Sequence, residues 1–213
     1  MHEEVADGTS APELLVDFIV SLDGYASAEG WPGWWGLEGP EYLRWLEEQP
    51  EGAYPALMGA NTYRMFSRFT AEAAGVPPDE KSDEEATIGG VAAMPKVVCS
   101  STLREPLALP NTQLVSGDAV AAVANMKRSG TTSIRTMGSL SLCRSLLKAG
   151  LVDRFRLVIF PVITGATGQE RIYDGYPDVS LEMVDNRTFD GRLQLLEYVP
   201  TVLDGPPGGG SSA

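Results

Sequence analysis

Histidine is nearly missing from this sequence: the one copy among 213 residues is His2. Serine–histidine triads, cysteine–histidine pairs and histidine-built zinc or iron sites therefore have nothing to run on. Cysteine is scarce as well. Cys99 and Cys143 stand far apart with no C-x-x-C between strands or elsewhere, which excludes a disulfide scaffold and a thiolate metal cluster. Basic residues are outnumbered 29 to 16 by acidic ones, a net charge of −13. Such a chain repels nucleic-acid phosphates and anionic membrane surfaces. The longest apolar run, Leu157 to Ile163, contains Pro161 and falls far short of a membrane span. The first residues, Met-His-Glu-Glu, lack the pattern of a signal peptide, so a cytoplasmic location is expected. Neither G-x-G-x-x-G nor G-x-x-x-x-G-K-[ST] follows a strand-like run. Chemistry is left to carboxylates, Tyr, Lys, Arg, backbone groups or a bound cofactor.

What is present is enough apolar material for a core, 43% of the residues, in a length that suits one domain. Polar or Gly/Pro-rich ends set expected boundaries: flexible tails over 1–12 and 202–213, and a single domain over 13–201. The stretch Ala71–Glu85 reads as an exposed loop. Between the tails, strand-like and helix-like patterns alternate. Leu14–Val20 reads as a buried strand interrupted by Asp17. Gly39-Pro40 opens a helix carrying Tyr42, Trp45 and Leu46 on one face. Ala56–Met58 is a strand that Gly59 ends, with a helix capped by Asn61 or Thr62 running to about Arg68. Lys96–Cys99 and Gln113–Val115 read as strands, and Asp118 caps a helix bearing Val120, Val123 and Met126. Ser133–Met137 turns through Gly138-Ser139 into a helix that stops at Gly150. Arg154–Phe160 is a central strand, and Leu181–Val184 with Leu193–Val199 close as a hairpin around Asp190-Gly191. The pattern predicts an α/β fold: a mostly parallel sheet with an antiparallel C-terminal edge.

Three strand-to-helix junctions carry the residues a phosphate cradle needs: Met58-Gly59-Ala60-Asn61-Thr62-Tyr63, Met137-Gly138-Ser139-Leu140 and Cys99-Ser100-Ser101-Thr102. Free N–H groups at helix starts, with hydroxyls beside them, suit an anion at the carboxyl ends of strands. The same residues also serve as ordinary caps and turns. The loop after the first strand holds Trp31, Trp34 and Trp35 among glycines and proline. Those rings read either as a lid over a flat ligand or as part of the core.

Taken in order, these motifs resemble the dihydrofolate reductase superfamily, and most closely the reductase domain of bacterial riboflavin biosynthesis. The matching segments are Val20–Tyr25, Met58–Tyr63, Lys96–Leu103, Met137–Leu140, Gly150–Arg154 and Phe160–Gly165, spread over about residues 14 to 200. The resemblance implies a three-layer sandwich with helices on both faces of the sheet, and an NADPH-dependent reductase acting on a pterin- or aminopyrimidine-like heterocycle or a related imine or carbonyl. It implies that Gly59, Ala60, Asn61, Thr62, Met137, Gly138, Ser139 and Leu140 hold the cofactor's pyrophosphate, and that Ser100 and Ser101 meet the adenosine 2′-phosphate. Gly24 and the Trp31, Trp34 and Trp35 cluster would border the nicotinamide and substrate.

For the proton, the resemblance points to Glu41, with Glu38 next, or to water; Asp23 is a second catalytic candidate that would orient substrate. Two departures stand out: Ala60 replaces a commonly basic residue, and Leu140 a further glycine. They keep open a non-catalytic, nucleotide-binding or regulatory relative. Arg64 or Arg104 is available to supply the charge that Ala60 lacks. A true dihydrofolate reductase is a further alternative, but the arginine that clamps folate's tail there is Met94 here, with Lys96 two residues on. The resemblance also implies a homodimer, with a small molecule as the other partner.

Overall fold

The computed structural model describes residues 11–30, 35–74 and 89–207. Its strands are β1 (Leu14–Ser21), β2 (Tyr25–Ala28), β3 (Ala56–Gly59), β4 (Lys96–Cys99), β5 (Thr112–Val115), β6 (Ile134–Thr136), β7 (Arg154–Phe160), β8 (Gly168–Arg171), β9 (Val179–Phe189) and β10 (Leu193–Val202). Its helices are α1 (Pro40–Glu48), α2 (Ala60–Ala73), α3 (Ala119–Ser129) and α4 (Leu140–Lys148). Eight strands form one sheet in the order β5-β4-β3-β6-β1-β7-β10-β9. The six from β5 to β7 run parallel, and β10 and β9 join antiparallel.

The expected architecture is therefore present, with several elements longer than their sequence pattern. The helix expected to end near Arg68 continues to Ala73; the rest of the expected polar loop lies largely outside the described residues. The closing hairpin runs from Val179 to Val202, one residue into the expected tail, and includes a bulge beside Glu197 and Tyr198. The polar strand β9 is held by ladder bonds to β10 rather than by apolar alternation, which is why its sequence under-reports it. The small β2–β8 sheet was not legible at all, since four-residue segments of mixed polarity carry no period.

Helices cover both faces. On one, α3 and α4 bury Val123, Leu142, Cys143, Leu146 and Leu147 against Leu14, Val16, Phe18 and Val20 of β1 and Phe155 and Leu157 of β7. Period-two alternation sends the intervening residues to the opposite face. There α1 packs Tyr42 on Val158, Phe160, Leu193 and Leu195, and α2 packs Tyr63 on Ala56, Met58 and Val98.

This second face also carries charge. Arg156, 3% exposed, donates from Nε to Glu197 at 2.7 Å, from Nη2 to Glu51 at 2.9 Å and from Nη1 to Gln49 at 2.9 Å. Arg154 reaches the same Glu51 at 2.8 Å and pairs with Glu197. The Arg156 guanidinium lies 5.3 Å from the Trp45 ring centroid. Each charge of this Arg154–Arg156–Glu51–Glu197 cluster has an opposite partner, as burial of ions requires.

Candidate active site

The carboxyl ends of β1, β3, β4, β6 and β7 lie along one edge of the sheet, as parallel pairing demands. Of the four α-helices whose starts are described, two begin there without a side-chain cap: α2 after Gly59 and α4 after Ser139. The other two starts are closed by aspartates. Asp118 accepts from Val120 and Ala121 N–H, and Asp190, from the β9–β10 turn, accepts from Glu41 and Tyr42 N–H at 3.0 and 3.2 Å. The two open starts are fastened together. Ser139, in the left-handed region at φ 68°, takes the Gly59 N–H on its Oγ at 2.7 Å and shares a hydrogen bond with Thr62 Oγ1 at 2.9 Å. Unsatisfied N–H groups and both helix dipoles thus face the same edge, the local chemistry of an anion site.

Leu140 does not crowd this edge. It is partly buried and packs on the core beneath α4. Met137 likewise packs inward, against the α2 cluster. At the neighbouring β4 end, Ser100 Oγ is used locally, accepting from Thr102 and Leu103 N–H. Ser101 is exposed, and its side chain makes no hydrogen bond among the described residues. Arg64, one turn into α2, donates to Thr102 Oγ1 at 3.0 Å and to Asn61 Oδ1 at 3.3 Å. Arg104 curls back onto the Ser101 carbonyl at 2.9 Å. Both arginines therefore stand beside the strand-end residues, Arg64 through a contact distant in sequence and Arg104 through a local one.

The β1 end is held by Asp23. Its carboxylate accepts from Ser21 Oγ at 2.7 Å and from Thr164 N–H at 3.1 and 3.2 Å, tying the β1–β2 turn to the loop after β7. The Ser21 hydrogen bond, aided by Thr164, holds this carboxyl below the usual aspartate range. Asp23 thus anchors the β1–β2 turn to the loop after β7. Gly24 follows at φ 86°, with the Tyr173 ring where a β-carbon would sit.

Glu41 is also committed elsewhere. It is exposed, and its Oε2 accepts the Asp190 N–H at 2.6 Å, completing a reciprocal cap at the start of α1. The structure places this expected proton donor in a clamp at the helix start, where its carboxylate meets the Asp190 N–H. Trp31 and Trp34 lie outside the described residues. Trp35 packs on the α1 cluster, with its Nε1 buried and without a hydrogen-bond partner among the described residues.

A different carboxyl group stands over the sheet between α1 and α2. Asp17 interrupts β1 on that face, and its side chain is 19% exposed. Its N–H donates to Thr136 Oγ1 at 3.2 Å, and the nearest cation is Arg156 at 3.8 Å from Oδ2. Burial pushes its pKa above the usual aspartate value, against the pull of Arg156 and Arg135. The same face holds Tyr42, whose phenol burial drives far up, and Glu38 and Arg135, whose Oε1 and Nε are buried without partners among the described residues. The sequence signal for this site was present in the lone charge within an apolar strand.

The matching family model, described as the RibD C-terminal domain, spans residues 12–195 of this chain. The chain belongs to that family, a reductase-type domain with the dihydrofolate reductase-like fold. It is 25% identical over 189 residues to an uncharacterized protein, YyaP, of Bacillus subtilis, covering 87% of this chain and 93% of that one. A putative riboflavin biosynthesis protein from Shewanella sp. PV-4 superposes with a TM-score of 0.61 at 18% identity, covering 89% of this chain and 99% of that chain. The Saccharomyces riboflavin biosynthesis reductase Rib7 gives a TM-score of 0.53 at 13% identity, with 93% of each chain covered. At these identities the two structures speak to the fold.

Proposed function

We propose that this protein is an NADPH-dependent reductase of a small flat heterocycle, pterin- or aminopyrimidine-like, or of a related imine or carbonyl compound. The observation that carries the reading is the pair of uncapped helix starts latched by Ser139 beside the Arg64–Thr102 contact. Backbone N–H groups at Gly59–Thr62 and Gly138–Leu140 would hold a pyrophosphate. Ser101, Arg64 and Arg104 would meet a 2′-phosphate through charge-assisted bonds. The cofactor would supply a hydride; the chain's part is to bind it, orient the substrate and deliver a proton. Titration with NADPH and NADH, read as quenching of tryptophan emission, tests the reading. Quenching at micromolar NADPH is expected, and no response to either nucleotide at millimolar concentration defeats it.

The non-catalytic alternative loses its support from Leu140, which turns away from the cradle. A true dihydrofolate reductase is disfavoured as well. Lys96, the one cation near Met94 in sequence, is buried and donates to the carbonyls of Val91, Ala92 and Met94 at 3.2, 2.8 and 2.6 Å, so its ammonium is bound to the backbone.

The same reading includes a homodimer in the cytoplasm. Leu181, Met183 and Val202, each between 36% and 50% exposed, share one face of the two outermost strands, where a second copy would cover them. Among the described residues no helix is long and apolar enough to cross a membrane.

A further inference from the structure

The β1–β2 turn is pinned by one stretch of chain, the segment that follows β7. Leu22 N–H donates to the Val162 carbonyl at 2.8 Å, and Thr164 N–H to the Asp23 carboxylate at 3.1 and 3.2 Å. Ile172 N–H donates to the Gly24 carbonyl at 3.0 Å, and β2 pairs with β8 between these contacts.

The next residues carry the connection onward. Ile172 is fully buried in the cluster beneath α3 and α4, whereas Tyr173 stays 45% exposed with its ring against Gly24. Gly175 passes against Arg144 of α4, whose Nε would lie 3.1 Å from a β-carbon there. Tyr176 closes on Phe155 of β7, edge to face, with ring centroids 6.2 Å apart. The strap Ile172–Tyr176 thus runs from the Gly24 turn to α4, one of the two helices with an open start at the cofactor edge.

We propose that Tyr173 is a positioning residue of the nucleotide site: through this strap it sets the Gly24 turn at a fixed distance from the α4 start, so that both ends of a dinucleotide are held at once. The inference rests on the reductase reading and adds how the two ends of its site are spaced. Gly24 and Tyr173 fit as a pair. The glycine holds φ 86°, and a β-carbon on it would lie 2.6 Å from Tyr173 Cε2. The contact is made by ring carbons, so phenylalanine can replace tyrosine in it. A ring this exposed buries little area for the fold, and its one close neighbour at the site is the turn.

Spacing matters because a dinucleotide is two ligands on one tether. Once the phosphate end is seated, the nicotinamide end binds from a high effective concentration, provided that the second subsite stands where the tether reaches. A displaced turn forfeits that gain and leaves the phosphate end untouched.

The test uses the full chain with two probes: NADPH, and adenosine 2′,5′-bisphosphate, which has the phosphate end and no nicotinamide. Calorimetry gives both affinities, dihydronicotinamide emission reports on the ring of bound NADPH, and melting temperature is measured on every variant. In the wild type, bound NADPH should show enhanced emission. Tyr173→Ala should weaken NADPH about tenfold and abolish the enhancement, with bisphosphate affinity within about twofold of the wild type. Tyr173→Phe should restore both NADPH readouts. Gly24→Ala should behave like Tyr173→Ala, because its β-carbon displaces the ring.

A Tyr173→Ala variant with wild-type NADPH affinity overturns the inference, since the hydrogen bonds alone would then hold the turn. Equal losses for both probes, or failure to fold, overturn it by making the residue structural. A phenylalanine variant that rescues nothing, a Gly24→Ala variant that binds NADPH normally, and a wild type that binds NADPH without altered emission each do the same. A wild type that does not bind NADPH defeats the reductase reading instead.

Discussion

Glu41 and Asp190 cap one another across the molecule: the Asp190 carboxylate accepts the Glu41 N–H, and the Glu41 carboxylate accepts the Asp190 N–H. Gly39 makes room for this, since a β-carbon there would lie 2.1 Å from the Asp190 carboxyl carbon. The contact fixes the start of α1 to the β9–β10 turn. Asp190→Ala should therefore cost about 1–2 kcal/mol, the usual range for a lost N-cap. Glu41→Gln should cost less and leave reductase turnover within a factor of two. Urea unfolding and steady-state rates check both, and a collapse of turnover in Glu41→Gln would return Glu41 to the catalytic role.

Ser139→Ala removes the latch between the starts of α2 and α4. Two hydrogen bonds are lost, worth roughly 0.5–1.5 kcal/mol each. NADPH and NADH affinities should fall together, by about tenfold.

Ser101→Ala and Arg64→Met should instead discriminate between the two nucleotides. Ser101→Ala should weaken NADPH modestly and NADH hardly at all. Arg64→Met removes a charge-assisted contact of about 1.5–3 kcal/mol and should weaken NADPH by tenfold or more. Fluorescence titrations give all four constants, and equal losses for the two nucleotides would make these residues structural.

The ion cluster around Arg156 makes a stability prediction. Glu197→Ala leaves two buried guanidinium groups short of their partner and should cost about 3–5 kcal/mol in chemical denaturation. A loss below about 1 kcal/mol would mean that the cluster is solvated rather than buried.

Acid should unfold this protein partly through Asp23. The Ser21 and Thr164 hydrogen bonds lower its folded pKa below the unfolded value of 3.8, so its stabilisation is complete above that value and is lost as pH falls through the folded one. Glu51 follows the same sign: burial raises it, but its own N–H, Arg156 and Arg154 together lower it further. Asp23→Asn should thus melt lower than the wild type at pH 7 and equally at pH 2–3. A difference that persists at pH 2–3 would locate its role elsewhere.

The sequence by itself determined the order and type of the main elements and the strand-to-helix junctions that line up along one edge of the sheet. Alternating apolar periods at Leu14–Val20, Tyr42–Leu46 and Leu140–Leu147 are local facts, as are Gly59 and Gly138 at strand ends, and local patterns specify which face of an element is buried. The sequence could not say which polar atoms would find partners. Whether a carboxyl is an acid or an anchor depends on what stands beside it, and those neighbours come from distant parts of the chain. Asp190 took Glu41, Thr164 took Asp23, and the carbonyls of Val91, Ala92 and Met94 took Lys96. Asp17, which looked like an interruption in a strand, was left over the sheet with Arg135 and Tyr42 around it. Tertiary structure decided this assignment because hydrogen bonds and desolvation act over a few ångströms in space, whatever the separation along the chain.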